Sequence, residues 1–129
     1  DMCYVCECVS EPVIVCVGET SDYVYVIQCV RVHDGCVMWK VERVEDRKIK
    51  PRSVTVAGEW VYVLDEMHHC VYQMSLATGQ DIKTIIQKGD QGIGEPRFIT
   101  YNQTTNQLCL VHYKVVGDKK HYTLSWFTL

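Results

Sequence analysis

Two segments of this chain are near copies. Pro51-Arg52-Ser53-Val54-Thr55-Val56 and Pro96-Arg97-Phe98-Ile99-Thr100-Tyr101 start 45 residues apart, and Glu11-Pro12-Val13-Ile14-Val15-Cys16 is a looser copy 39 residues before Pro51. Each copy leads into a second strand-like segment, at 23–30, 60–65 and 107–114. A polar loop and a third strand-like segment follow, at 36–42, 70–76 and 121–129. The first two units then carry a fourth segment, 44–49 and 82–87. A repeating unit cannot bury its apolar faces alone, so stacked neighbours must supply the core. The units run over residues 11–50, 51–95 and 96–129, with 1–10 as an extra strand.

The segments read as strands because β-branched and aromatic residues alternate along them, as in Tyr23-Val24-Tyr25-Val26-Ile27 and Trp60-Val61-Tyr62-Val63-Leu64. No window of eleven or more residues keeps an apolar helical stripe. Gly and Asp/Asn punctuate the chain at Gly58, Gly79, Gly89-Asp90 and Gly117-Asp118. Four short strands per unit, at a period of about 40–45 residues, predict an all-β partial propeller of three four-stranded antiparallel blades. Blade entries are expected at Pro12, Pro51 and Pro96. Val24, Val26, Val61, Tyr62, Val63, Leu108 and Leu110 are expected in middle strands, with alternate residues facing neighbouring blades.

The best-formed unit, from Pro51 to Gly79, resembles an NHL repeat. It has the entering Pro, an alternating strand, Gly58, then Tyr62-Val63-Leu64-Asp65, and His69 before the next alternating strand. Gly89-Asp90-Gln91-Gly92-Ile93-Gly94-Glu95-Pro96 is similar to a Gly-rich link between blades. The match is good over this one unit and looser over the other two. The unit lacks the family's usual Asn before the His, and kelch or WD-repeat blades are alternatives without a Gly-Gly doublet or Trp-Asp pair to support them. The resemblance implies a binding module like those ending tripartite-motif (TRIM) proteins, scaffolds of ubiquitin ligation. Ligase activity would then reside in a RING domain that this sequence does not contain.

Three blades would be half of a ring of about six. Half a ring leaves two blade faces in water, so the chain is expected to be a piece of a larger ring or to pair with a second copy. Its start at Asp1 rather than Met fits a fragment or processed product. Met2–Val9 would either close the third unit beside 121–129 or be an outer strand of a preceding unit.

The cysteines are Cys3, Cys6, Cys8, Cys16, Cys29, Cys36, Cys70 and Cys109. Most lie in apolar runs and read as reduced core residues, with a disulfide framework as the alternative for an even count. Cys3, Cys6 and Cys8 have the only metal-like spacing, but in a strand they divide between two faces, which opposes a shared ion. No stretch approaches the roughly 20 apolar residues of a membrane span, and no secretory leader opens the chain, so no membrane association and a cytoplasmic location are expected. The net charge of −3 argues against a dedicated nucleic-acid binder, and the basic run from Arg43 to Arg52 reads as a solvated strand.

No nucleophile elbow, phosphate loop or metalloprotease motif occurs, so the chain is read as non-catalytic, with no cofactor. A fragment of a propeller lactonase or lyase is the alternative; it would need acidic or Asn ligands converging on the axis, where these strands carry Val, Ile, Thr and Tyr. Asp65 is expected to accept hydrogen bonds from loop backbone. Candidate binding residues are His33, Asp34, Arg52, Glu66, His68, His69, Arg97, Lys119, Lys120 and His121. All fall in or beside loops expected at one end of the blades, where a rigid scaffold presents variable groups. A mixed, mildly basic face of this kind suits an acidic protein segment first and RNA second.

Overall fold

The computed structural model describes residues 13–129 in full and residues 2–10 through their backbone pairing. The described chain is all-β, with thirteen strands and one three-residue 3-10 turn at Asp90–Gly92. Among the described residues no helix is long and apolar enough to cross a membrane. The first sheet runs β1 (Met2–Ser10), β2 (Val13–Glu19), β3 (Tyr25–Arg31), β4 (Val37–Val41). A separate hairpin, β5 (Arg43–Val44) and β6 (Arg47–Lys48), follows it. The second sheet runs β7 (Pro51–Ala57), β8 (Trp60–Asp65), β9 (Cys70–Ser75), β10 (Lys83–Gln87). The third has three strands: β11 (Glu95–Asn102), β12 (Gln107–Val116), β13 (Lys119–Thr128). All pairings are antiparallel.

Strand alternation turns these sheets into a stack. On the second sheet Val54, Val56, Val61, Val63, Tyr72 and Met74 face one way and pack with Val15, Val17, Ile27 and Cys29 of the first sheet. Tyr62, Leu64, Val71 and Ile86 face the other way and pack with Ile99, Leu108 and Leu110 of the third. The second sheet is therefore buried on both faces, which is why β8 reads as a nearly continuous apolar run. Val26, Val61, Tyr62, Val63, Leu108 and Leu110 lie in middle strands as expected. Val24 does not: β3 begins at Tyr25, and Val24 is 39% exposed.

The edge strand β7 lies against β1 and β2 on one side and β11 on the other. Ser53 fastens β7 to β11: its buried hydroxyl donates to the Ile99 carbonyl at 3.1 Å and accepts from the Ile99 N–H at 3.2 Å. The Pro-Arg repeat is also explained. The register of β7 on β8 slips between Pro51 and Ser53, and that of β11 on β12 slips between Pro96 and Phe98. Each Arg is thus a β-bulge, and a bulge re-aims the side chain it carries.

The first unit departs from expectation. β1 pairs along β2, with a slip between Cys3 and Val5 that matches the bulges of β7 and β11. Met2–Val9 therefore neither joins β13 nor stands outside the first sheet; it takes the place that β7 and β11 hold in theirs. Val13–Glu19 becomes the second strand of its sheet rather than the first. The segment 44–49, expected as a fourth strand, contributes to the β5–β6 hairpin instead, because Glu45 and Asp46 adopt positive φ of 52° and 61° and reverse the chain. The expected entry at Pro12 lies outside the described residues.

A loop end organised around a buried carboxylate

Asp65 ends β8 with none of its surface exposed. It accepts the backbone N–H of Lys50 at 3.0 Å and of Met67 at 2.9 Å, the Tyr72 hydroxyl at 2.8 Å, and a bond from His68 Nδ1 at 2.7 Å. An ionised carboxylate only accepts, so His68 Nδ1 carries the proton. Burial pushes the Asp65 carboxyl up, but the bonds from Lys50, His68, Tyr72 and Met67 outweigh it and hold the group below the usual carboxylate range. The same environment drives the Tyr72 hydroxyl strongly upward, burial first and the hydrogen bonds to Cys70 and Asp65 next. The expectation of backbone acceptance by Asp65 is met, and two side-chain donors are added to it.

This carboxylate ties the entry to β7 to the turn between β8 and β9. The Glu66 N–H also donates to the Lys50 carbonyl at 2.9 Å, and the Lys88 N–H to the His69 carbonyl at 2.9 Å. His69 has a φ of 52°, held by these bonds. Four loop segments are therefore brought to one end: 48–52, 66–69, 88–97 and 116–121. Arg52 pairs with Glu66 at 3.1 Å, and Lys88 with Glu95 at 3.1 Å. Hydrogen bonds from Tyr113 and Lys88 hold the Glu95 carboxyl below its ordinary range. Arg97 is half-buried in its bulge; Lys119, Lys120 and His121 are exposed at the start of β13. Lys120 Nζ sits 4.7 Å from the centre of the Tyr113 ring.

Two candidate residues fall elsewhere. His33 and Asp34 belong to the β3–β4 turn, where Asp34 chelates Arg31 through contacts of 2.8–3.2 Å. Lys50 lies over the ring of Tyr25, which begins β3, so the start of β3 is at the Asp65 end and its far turn is at the other. Trp39, at the centre of β4, agrees with the far placement: its indole N–H donates to the Leu76 carbonyl at 2.7 Å, in the β9–β10 loop. The one-strand shift of the first unit is the cause. The shift also brings forward residues that sequence reasoning missed. Tyr23, Tyr25, Lys48 and Met67 line a groove of about 290 Å³ at the Asp65 end. Tyr23 is 81% exposed at a positive φ of 61°, a signal that appears only in the backbone.

The basic run from Arg43 to Arg52 is spent largely on local contacts. Arg43 donates to the Asp46 carbonyl at 3.1 Å, and Arg47 lies 3.6 Å from Glu45. Cys29, Cys36, Cys70 and Cys109 are thiols. Burial pushes those of Cys29, Cys70 and Cys109 up, which leaves them in the unreactive form. The side chains of Cys3, Cys6 and Cys8 lie outside the described residues. Among the described residues no three potential metal ligands come together. Compared with known proteins, the sequence matches no family model and no curated protein.

Proposed function

We propose that the chain is a non-catalytic interaction module, three consecutive blades of an NHL-type β-propeller, which docks an acidic segment of a partner protein on the Asp65 end. The observation that carries this reading is the stack itself. Strands β1, β7 and β11 adjoin, each enters its sheet with a bulge, and the loops beside them gather at one end. Arg97, Lys119, Lys120 and His121 there have no carboxylate within ion-pair distance among the described residues, whereas Glu66 and Glu95 are already paired. Positive charge is thus left for a partner. On this reading the whole protein is a cytoplasmic scaffold of the tripartite-motif kind, and any ligase chemistry belongs to a separate RING domain.

The test is binding of a fluorescent glutamate-rich peptide, with oligouridine as the RNA probe, over a salt series. The peptide should bind, weaken as salt rises, and weaken further in K119E/K120E. The same reversal at Lys40, on β4, should change nothing. Indifference to both salt and K119E/K120E overturns the reading, and preference for oligouridine replaces the protein partner by RNA.

A further inference from the structure

Where the first sheet meets the second at the Asp65 end lies a groove of about 290 Å³. Its walls come from three places: the β2–β3 turn and the start of β3 with Tyr23 and Tyr25, the β5–β6 hairpin with Arg43 and Lys48, and the β8–β9 turn with Met67. Ile49, which is buried, forms its floor. Every wall falls within residues 22–67, so the groove is made by the meeting of two units rather than by an end of the chain.

Two features set this groove apart from an ordinary seam between sheets. The first is the way its apolar side chains are held. Tyr23, a bulky residue at a φ of 61°, is a backbone outlier. Its N–H donates to the Thr20 carbonyl at 3.0 Å, the Thr20 N–H donates to the Val24 carbonyl at 2.8 Å, and the Val24 N–H donates to Thr20 Oγ1 at 3.2 Å. These three bonds close the turn around the strained residue, yet its ring is 81% exposed. Burial of the ring therefore does not offset the strain, and strain kept at such a place is a mark of a binding site. Met67 is 48% exposed and is likewise fixed through its backbone, whose N–H donates to buried Asp65 at 2.9 Å. A ring and a thioether are thus presented on fixed turns from two different units, where a partner gains apolar contact at little ordering cost.

The second feature is charge. Glu42 is paired with Lys40 at 3.2 Å. Lys48 and Lys50 have no carboxylate within ion-pair distance among the described residues, and Lys50 Nζ lies 5.8 Å from the centre of the Tyr25 ring. Arg43 donates to a carbonyl, that of Asp46, which leaves its charge uncancelled. Against these three cations, Asp22 is the one lining carboxylate outside an ion pair among the described residues. The balance around the groove is positive.

We infer that the groove seats one aromatic side chain of the acidic partner segment against Tyr23 and Met67, with carboxylates flanking that ring and meeting Lys48 and Lys50. The volume is at the small end of ligand sites, room for one large side chain. Tyr and Met walls suit a ring, through offset stacking and sulfur contact. An apolar anchor surrounded by polar contacts is the usual layout of a binding hot spot. The inference rests on the reading of the Asp65 end as the docking face for an acidic segment; it adds the residue that segment carries and the place that residue takes.

The probes are two fluorescent peptides of glutamate and serine that differ only in one central residue, phenylalanine or alanine. The phenylalanine peptide should bind roughly tenfold more tightly. Y23A and M67A, both at exposed positions, should cut that preference to within about twofold and leave the affinity for the alanine peptide unchanged. Y23G removes the ring and relieves the positive φ together, so the same loss in Y23G assigns the effect to the ring rather than to a disturbed turn. K48E should weaken both peptides alike, and more at low salt. The carbon-13-labelled Met67 methyl should shift with the phenylalanine peptide and not with the alanine peptide, while exposed Met38 on β4 stays unmoved by either. Equal affinity of the two peptides overturns the anchor and leaves acidic docking at the Asp65 end standing. A preference that survives in Y23G and M67A, or that leaves the Met67 methyl unmoved, puts the ring elsewhere and overturns the groove. Indifference to K48E, or equal binding of a phenylalanine–serine peptide without glutamates, overturns the acidic flanks. Binding of neither probe overturns the docking reading and this inference with it.

Discussion

Removing the Asp65 carboxylate should destabilise the protein more than any other single polar change. In D65A the Tyr72 hydroxyl loses its carboxylate acceptor in a fully buried setting, and the N–H groups of Lys50 and Met67 lose theirs in partly buried ones. A stranded buried donor costs about 1–3 kcal/mol. The Tyr72 donor counts near the top of that range and the two backbone donors, within reach of water, near the bottom. The expected loss is about 3–5 kcal/mol out of a total stability of about 5–15. D65N retains the volume and one acceptor oxygen, and should lose about 1–2 kcal/mol. The assay is guanidinium denaturation at pH 7 followed by tryptophan fluorescence. Y72F removes the most deeply buried donor, so D65A should cost about 2–3 kcal/mol less in the Y72F background. The pH sign follows from the lowered carboxyl. Its contribution is present above the ordinary Asp value of 3.8 and is lost as the pH falls through the folded value. The reasoning is refuted if D65A loses less than about 1 kcal/mol, or if Y72F leaves the cost of D65A unchanged.

Gly79 has a φ of +69°, and an added Cβ would lie 2.5 Å from the Trp39 ring. G79A should therefore lower stability by about 2–4 kcal/mol, read from thermal melts, through backbone strain and loss of the Trp39–Leu76 bond. Buried His112 accepts the Gly94 N–H on Nδ1 at 2.9 Å, which leaves Nε2–H to donate to Ser125 at 2.8 Å. Burial, and secondly Lys114, lower its pKa, so stability is full above pH 6.5 and falls as the pH drops from there through the folded value. H112N should flatten that part of a stability–pH profile. Native-state alkylation read by mass spectrometry should label exposed Cys36 well before Cys29, Cys70 and Cys109.

The second and third sheets were legible because their strands alternate and their turns carry Gly58 and Gly117. The double burial of β8 was implicit in the run Val61-Tyr62-Val63-Leu64. The first sheet was misread by one strand. Val13-Ile14-Val15-Cys16 has the apolar character of Ser53–Val56, and a period of two cannot say which place in a sheet a strand occupies. The matching bulge in β1 falls at Cys3-Tyr4-Val5, which has no Pro-Arg to announce it. The β5–β6 turn was hidden for a similar reason: Glu45-Asp46 is not the Asn-Gly pair that advertises a hairpin. The misplacement of His33 and Asp34 follows from that single shift. The site residues Tyr23 and Met67 are silent in the sequence because their place depends on how the first sheet and the hairpin meet.

The most direct test of the loop-end assignment is a titration of isotopically labelled protein with the glutamate-rich peptide, followed by amide chemical shifts. The account predicts shifts over 48–52, 66–69, 88–97 and 116–121, with the turns at 31–36 and 76–82 unmoved. Shifts centred on those two turns, or scattered over both ends alike, would contradict it.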